Sequence, residues 1–137
     1  MKASELRIGN LVYVSDNLTN LIFKEITPIN IHNLMHLTGW DKSPVDIEFE
    51  PIPLTEEWLF KFGFFVKNFD YTIPISECEV VWLTLIPQDE ACTSYSVCVT
   101  QIDEDELDQN VFLSDIIYVH QLQNLYFALT GEELEIK

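Results

Sequence analysis

Positive charge is the scarcest resource in this sequence. Seven lysines and arginines stand against 23 aspartates and glutamates in 137 residues, a formal charge of −16. Binding phosphate backbones takes clustered Lys and Arg, and a chain with the single arginine Arg7 has no such cluster, which excludes nucleic acid as a direct ligand. Only four glycines occur, so no Gly-rich loop can cradle a phosphate, and no nucleophile-elbow motif is present. No run approaches the roughly twenty apolar residues of a spanning helix, and the opening Met1-Lys2-Ala3-Ser4-Glu5-Leu6-Arg7 lacks the apolar stretch of a secretory signal. The expectation is a protein of the cytoplasm in which it is made, with no membrane partner. Three cysteines, Cys78, Cys92 and Cys98, form no CxxC pair and read as free thiols in a core.

What is present is enough apolar matter to fold. Hydrophobic residues make up 47% of the chain and aromatics 12%, interspersed with the acids throughout, so a single domain over residues 1–137 with a buried core is expected rather than a disordered tail.

The charge is unevenly placed. Residues 1–67 hold nine acids and six bases, whereas residues 68–136 hold fourteen acids and neither Lys nor Arg. Like charges gathered in one small fold repel one another. Two readings follow: a charge carried for solubility, or a surface made for a basic partner.

Leu6 to Val14 places Gly9 ahead of β-branched residues and reads as a turn feeding a first strand. Leu21 to Ile31 reads as one or two further strands, and Val45 to Phe49 as another that stops at Pro51 and Pro53. Leu54-Thr55-Glu56-Glu57-Trp58-Leu59-Phe60-Lys61-Phe62-Gly63 predicts a short helix. Thr55 caps it through its hydroxyl, Glu56 and Glu57 meet the positive end of its dipole, Leu54 staples onto Leu59, and Gly63 stops it. Phe64 to Thr100 shows four strand-like runs in a meander, the cluster Asp103 to Asp108 reads as a loop tip, and Val111 to Ile117 as a further strand. Leu122, Leu125, Tyr126 and Leu129 recur at helical spacing before Gly131. The predicted class is α+β: a bent antiparallel sheet or small β-barrel with one short helix and one longer C-terminal helix.

No motif for catalysis, metal or cofactor emerges. His32 and His36 are spaced to share a helix face, but no third ligand and no intervening Glu accompanies them. His120, at the entry of the last helix, reads as a packed or capping residue. Pairs such as Glu56/Glu57 and Glu77/Glu79 are expected by chance among 23 acids. The chain therefore reads as a binding protein and not an enzyme, with no cofactor. Its candidate partner-binding residues are the exposed acids of the second half, Asp89, Glu90, Asp103, Glu104, Asp105, Glu106 and Asp108.

Two long segments, Phe49 to Phe64 and Tyr118 to Leu134, resemble a family of small uncharacterised proteins of phages, prophages and mobile elements of the Bacteroidota. The opening Leu6 to Val12 looks like theirs as well. The resemblance covers the two helical segments, while about Val66 to Asp115, where the acids concentrate, departs from it. The likeness supplies no catalytic residues. By analogy with acidic phage proteins of this size it implies an inhibitor, similar to anti-CRISPR proteins, of a basic nucleic-acid-binding protein. A CRISPR effector of the type VI, RNA-guided RNase class is the leading candidate. An accessory structural or assembly protein of the phage, binding through an apolar patch, is the alternative.

Overall fold

The computed structural model describes residues 2–16, 25–39, 47–102 and 108–137. The fold is α+β, and the chain groups into two compact units, Met1–Ile52 with Tyr118–Asn124 and Pro53–Ile117 with Leu125–Lys137.

The first unit holds a three-stranded antiparallel sheet. Strand β1 (Leu11–Asp16) lies between β2 (Glu25–Pro28) and β3 (Ile47–Pro51), with Tyr13 opposite Ile26 on one side and Glu50 on the other. Pro51 is tolerated because it is the last residue of an edge strand. The stretch that read as one or two strands up to Ile31 yields β2 and then turns into helix α1 (Ile31–Leu37). Asn30 and Asn33 explain the switch. Each side chain accepts the other's backbone N–H at 2.9 Å, a reciprocal cap that favours starting a helix. Val12, Ile29 and Leu6 form a small core to which Val14, Leu34, Leu37 and Phe49 add.

A polar clamp runs beside that core. Asn10 is wholly buried, its side-chain oxygen accepts from Arg7 N–H at 2.6 Å, and its amide donates to Asn124 at 2.9 Å. Gln123 accepts from Leu11 N–H at 2.9 Å, and Asn124 donates to the Glu5 carbonyl at 2.8 Å. Buried amides satisfied in this way fix one register for the opening segment against the start of helix α3 (Val119–Thr130). His120 is buried on the same helix and stacked on Tyr118 with ring centroids 5.7 Å apart. Neither ring nitrogen has a hydrogen-bond partner among the described residues.

The second unit is a meander of five antiparallel strands in chain order: β4 (Phe65–Lys67), β5 (Asp70–Pro74), β6 (Val81–Pro87), β7 (Tyr95–Ile102) and β8 (Asp108–Ile116). The meander expected over residues 64–100 is present, and among the described residues neither sheet closes into a barrel. Tyr71 faces Leu85, Ile73 faces Leu83, and both leucines continue onto Val97 and Val99. That row is one face of the sheet and is buried in its middle.

Helix α2 (Glu56–Lys61) sits on this face. Glu56 accepts the Tyr71 hydroxyl at 2.7 Å, and Phe60 meets the Tyr71 ring edge-on at 5.9 Å. Its N-terminus corrects one expectation: Thr55 occupies the cap position in extended backbone, but its hydroxyl makes no capping bond. The entry is held by the burial of Leu54 and Leu59 instead. The exit is a Schellman turn. Phe64 N–H bonds the Leu59 carbonyl and Gly63 N–H the Phe60 carbonyl, both at 3.0 Å, with Gly63 at φ +88°.

Two further readings are corrected. Of the three cysteines only Cys98 is buried. Cys78 is exposed and Cys92 half-buried, because both fall in connections between strands. Leu129 is exposed, and the buried positions of α3 are Val119, His120, Leu122 and Gln123, so the stripe begins earlier than its leucines alone suggest.

Truncating Trp58, which is 7% exposed on α2, should cost about 3 to 5 kcal/mol. A Trp58→Ala variant is therefore expected to melt well below the parent in thermal denaturation. A pH dependence follows from His120, whose burial holds the imidazole below its ordinary value. The unfolded chain takes up a proton that the folded one resists, so this contribution is whole above about pH 7 and is lost as pH falls through the ordinary histidine range. Melting temperature should decline from pH 7 to about 5.5, before most carboxylates titrate, and His120→Met should flatten that decline.

Candidate functional site

The acids of the second unit whose side chains are described are almost all on its surface. By sequence this unit holds sixteen acids and three bases, a formal −13 of the chain's −16. Of its acids whose side chains are described, only Asp70 is less than exposed, and burial pushes its carboxyl up. The meander decides where the others emerge, since connections alternate between the two ends of the sheet.

At one end stand the β4–β5 and β6–β7 connections. The second of these contains Asp89 and Glu90, but Asp89 is committed to shaping its loop. Its carboxylate accepts from Thr93 N–H at 2.8 Å and from the Thr93 hydroxyl at 2.6 Å, bonds that hold it below the usual carboxylate range. Glu90 is exposed and adjacent. At the opposite end stands the β5–β6 connection, beside the last pair of β7 and β8, Ile102 with Asp108. The two ends are roughly 20 Å apart, the span of the seven residues of β6 at about 3.3 Å each. Asp103, Glu104, Asp105 and Glu106 lie outside the described residues. The chain leaves for them at Ile102 and returns at Asp108.

The β5–β6 connection is built to turn its acids outward. Ser76 accepts Glu79 N–H on its carbonyl at 3.0 Å and Val81 N–H on its hydroxyl at 3.2 Å, and the Trp82 indole donates to the Glu79 carbonyl at 2.7 Å. Glu79 is thereby held at φ +52°, a left-handed conformation that costs a non-glycine residue about 1 kcal/mol. Glu77 and Glu79 are both exposed. Glu77 also lines a polar cleft of about 420 Å³ with Tyr126, Thr130 and Glu132, so an acid some fifty residues away in the chain joins the same end of the unit. Sequence reasoning set Glu77 and Glu79 aside as a chance pair and did not single out Glu132. The signal was only their position relative to strands whose pairing was not yet known.

The open face of the sheet carries a second feature. Thr72, Thr84 and Cys98 face one another across β5, β6 and β7, with Thr100 and Asn110 one step further along. The Thr100 hydroxyl donates to the Asn110 side-chain oxygen at 2.7 Å. Its only proton is then used, so it accepts from Thr84 at 3.4 Å, and Thr84 in turn accepts from Thr72 at 3.3 Å. Proton counting thus gives the ladder one direction across four strands, the arrangement in which each bond polarises the next. The ladder floors a groove of about 160 Å³ walled by Trp82, Phe112, Lys67 and Asp70. Chemically it offers fixed hydroxyl and amide dipoles beside aromatic rings, and the ladder ends on an amide rather than on a base.

His32 and His36 do share α1, where His36 packs against Phe49 at 6.1 Å. No cluster of three metal-ligating side chains forms among the described residues. No described helix is long and apolar enough to cross a membrane. Compared with known proteins, the chain matches no family model, no curated protein and no solved structure.

Thr84 is the hinge of the ladder, accepting on one side and donating on the other. Thr84→Val keeps the shape and removes both bonds, and should lower stability by about 1 to 2 kcal/mol in urea denaturation with an unchanged m-value.

Proposed function

We propose that the chain is a non-enzymatic binding protein that sets an anionic surface of its second unit against a basic, nucleic-acid-binding surface of a partner protein. The observation that carries this reading is the segregation of charge, sixteen acids against three bases in one compact unit, with the described side chains directed to solvent. A field of one sign raises the encounter rate with a surface of the other and repels wrong partners. The acidic end that includes Glu77, Glu79 and Glu132 is its centre, and the acid run of the sequence from Asp103 to Glu106 with Asp108 is assigned to the same binding role by its charge. Asp89, tied into its own loop, is a lesser contributor than Glu90.

The family resemblance extends the proposal to a phage-derived inhibitor acting in the cytoplasm of a bacterial host. Its target would be a nucleic-acid-binding defence effector, with a type VI RNA-guided RNase as the first partner to try. A phage structural or assembly protein is the second reading, favoured by one observation: Val111, Phe112 and Leu113 are exposed in succession on β8.

Changing Asp103, Glu104, Asp105, Glu106 and Asp108 together to Asn and Gln should slow association with the effector by about a decade or more. Stability should stay equal or rise slightly, because like-charge repulsion is relieved. The parent should also compete with RNA for the effector and lose affinity steeply with salt. Binding that survives both the fivefold change and about 0.5 M salt, where the Debye length is near 4 Å, would reject the charge reading in favour of the apolar one.

A further inference from the structure

The two edges of the five-stranded sheet are unlike. β4 has three residues, whereas β8 has nine, and every residue from 109 to 115 is exposed, Val111 at 61% and Phe112 at 65%. Successive side chains point to opposite faces, so exposure of consecutive positions means that neither face of β8 is covered. Among the described residues no strand pairs with its outer edge. The next backbone bond on the chain's way out of the strand is from Leu54 N–H to the Ile117 carbonyl, at 2.8 Å. Natural edge strands are usually blunted by shortness, proline or lysine. β8 is long and has neither residue; its one irregularity is a register shift that leaves Leu113 as the extra residue between the Val97 and Cys98 pairs.

We propose that the outer edge of β8, over Gln109–Phe112, receives an extended segment of a basic partner protein as a sixth strand. This deepens the charge-directed binding proposed above and rests on it. Charge selects the occupant. A second copy would bring another unit of formal −13 against the first, with the exposed Asp115 near the contact, so self-pairing is opposed where pairing with a Lys- or Arg-bearing strand is assisted. The backbone edge supplies affinity and the side chains supply register. Asn110 and Phe112 lie on the groove face, Val111 on the other, so the incoming strand carries apolar side chains opposite Phe112 and Val111 and a cation toward Asp115.

Amide hydrogen exchange of the full chain tests this, with a capped octapeptide of alternating lysine and valine as the probe. Two relatives serve as controls: one with alternate backbone amides N-methylated, the other with glutamate in place of lysine. At low salt the lysine peptide should slow exchange of alternate amides within 109–112 by about tenfold or more, and neither relative should do so. If the N-methylated peptide binds as well and β8 stays unprotected, edge pairing is overturned while the charge reading stands. If no lysine peptide binds at all, both are overturned. As a check on the surface itself, Val111→Lys with Phe112→Lys, at positions more than half exposed, should leave the far-UV spectrum intact. The same pair of changes should weaken the lysine peptide by about tenfold, and unchanged affinity would count against the proposal.

Discussion

The register of the β5, β6 and β7 ladder is the constraint on which the rest of the second unit depends. Pairing Thr72 with Thr84 and Thr84 with Cys98 forces Tyr71, Leu83, Leu85 and Val97 to the opposite face, where α2 sits. A slip of one residue would carry the leucines to the open face and the threonines under the helix. The hydroxyl ladder and the apolar core are therefore two consequences of one alignment. Each resists the slip that would undo the other.

The same alignment distributes the charge. In a meander, alternate connections fall at opposite ends, so Glu77 and Glu79 of the β5–β6 connection stand at the end where β8 begins at Asp108, and Asp89 and Glu90 are sent to the other. Gathering like charge is electrostatically unfavourable, and the unit offsets it by keeping the carboxylates in water, where screening is strongest. Where an acid is held by the protein it is held for shape, as in the Asp89 loop. One of the few cations, Lys61, is used within α2 itself, paired with Glu57 at 2.7 Å, so it does little to break the field.

The two units solve different problems. In the first, a small apolar core that includes Leu6 is supplemented by hydrogen bonds of the Asn10, Gln123 and Asn124 side chains, so polar and apolar contacts together fix the opening segment. In the second, the apolar core is larger and the open face, the acidic end and the uncovered β8 edge are left for use. An edge with both strand faces in water, bordering a groove with fixed dipoles, is a surface that a partner backbone can read without any cavity being formed first.

Local chemistry was enough for much of this. The α2 segment was legible from Glu56 to Gly63 because its stop lies within one helical turn of sequence, although the Thr55 hydroxyl proved idle and burial of Leu54 and Leu59 took its place. The strands of the meander were legible from their β-branched and aromatic residues, and the charge asymmetry is a property of the sequence outright. Helix α1 was missed because its cap is a reciprocal pair of asparagines rather than the more familiar hydroxyl and carboxylate. Tertiary structure alone decided which threonines meet, that Glu132 stands with Glu77, that Asp89 and Asp108 are on opposite ends, and that β8 is an uncovered edge. The physical reason is that helix ends are set by residues three or four apart, whereas register, face and edge depend on pairings between separate strands, such as Thr72 with Thr84 and Tyr95 with Ile116, whose alignment is fixed by the summed burial of all the strands together.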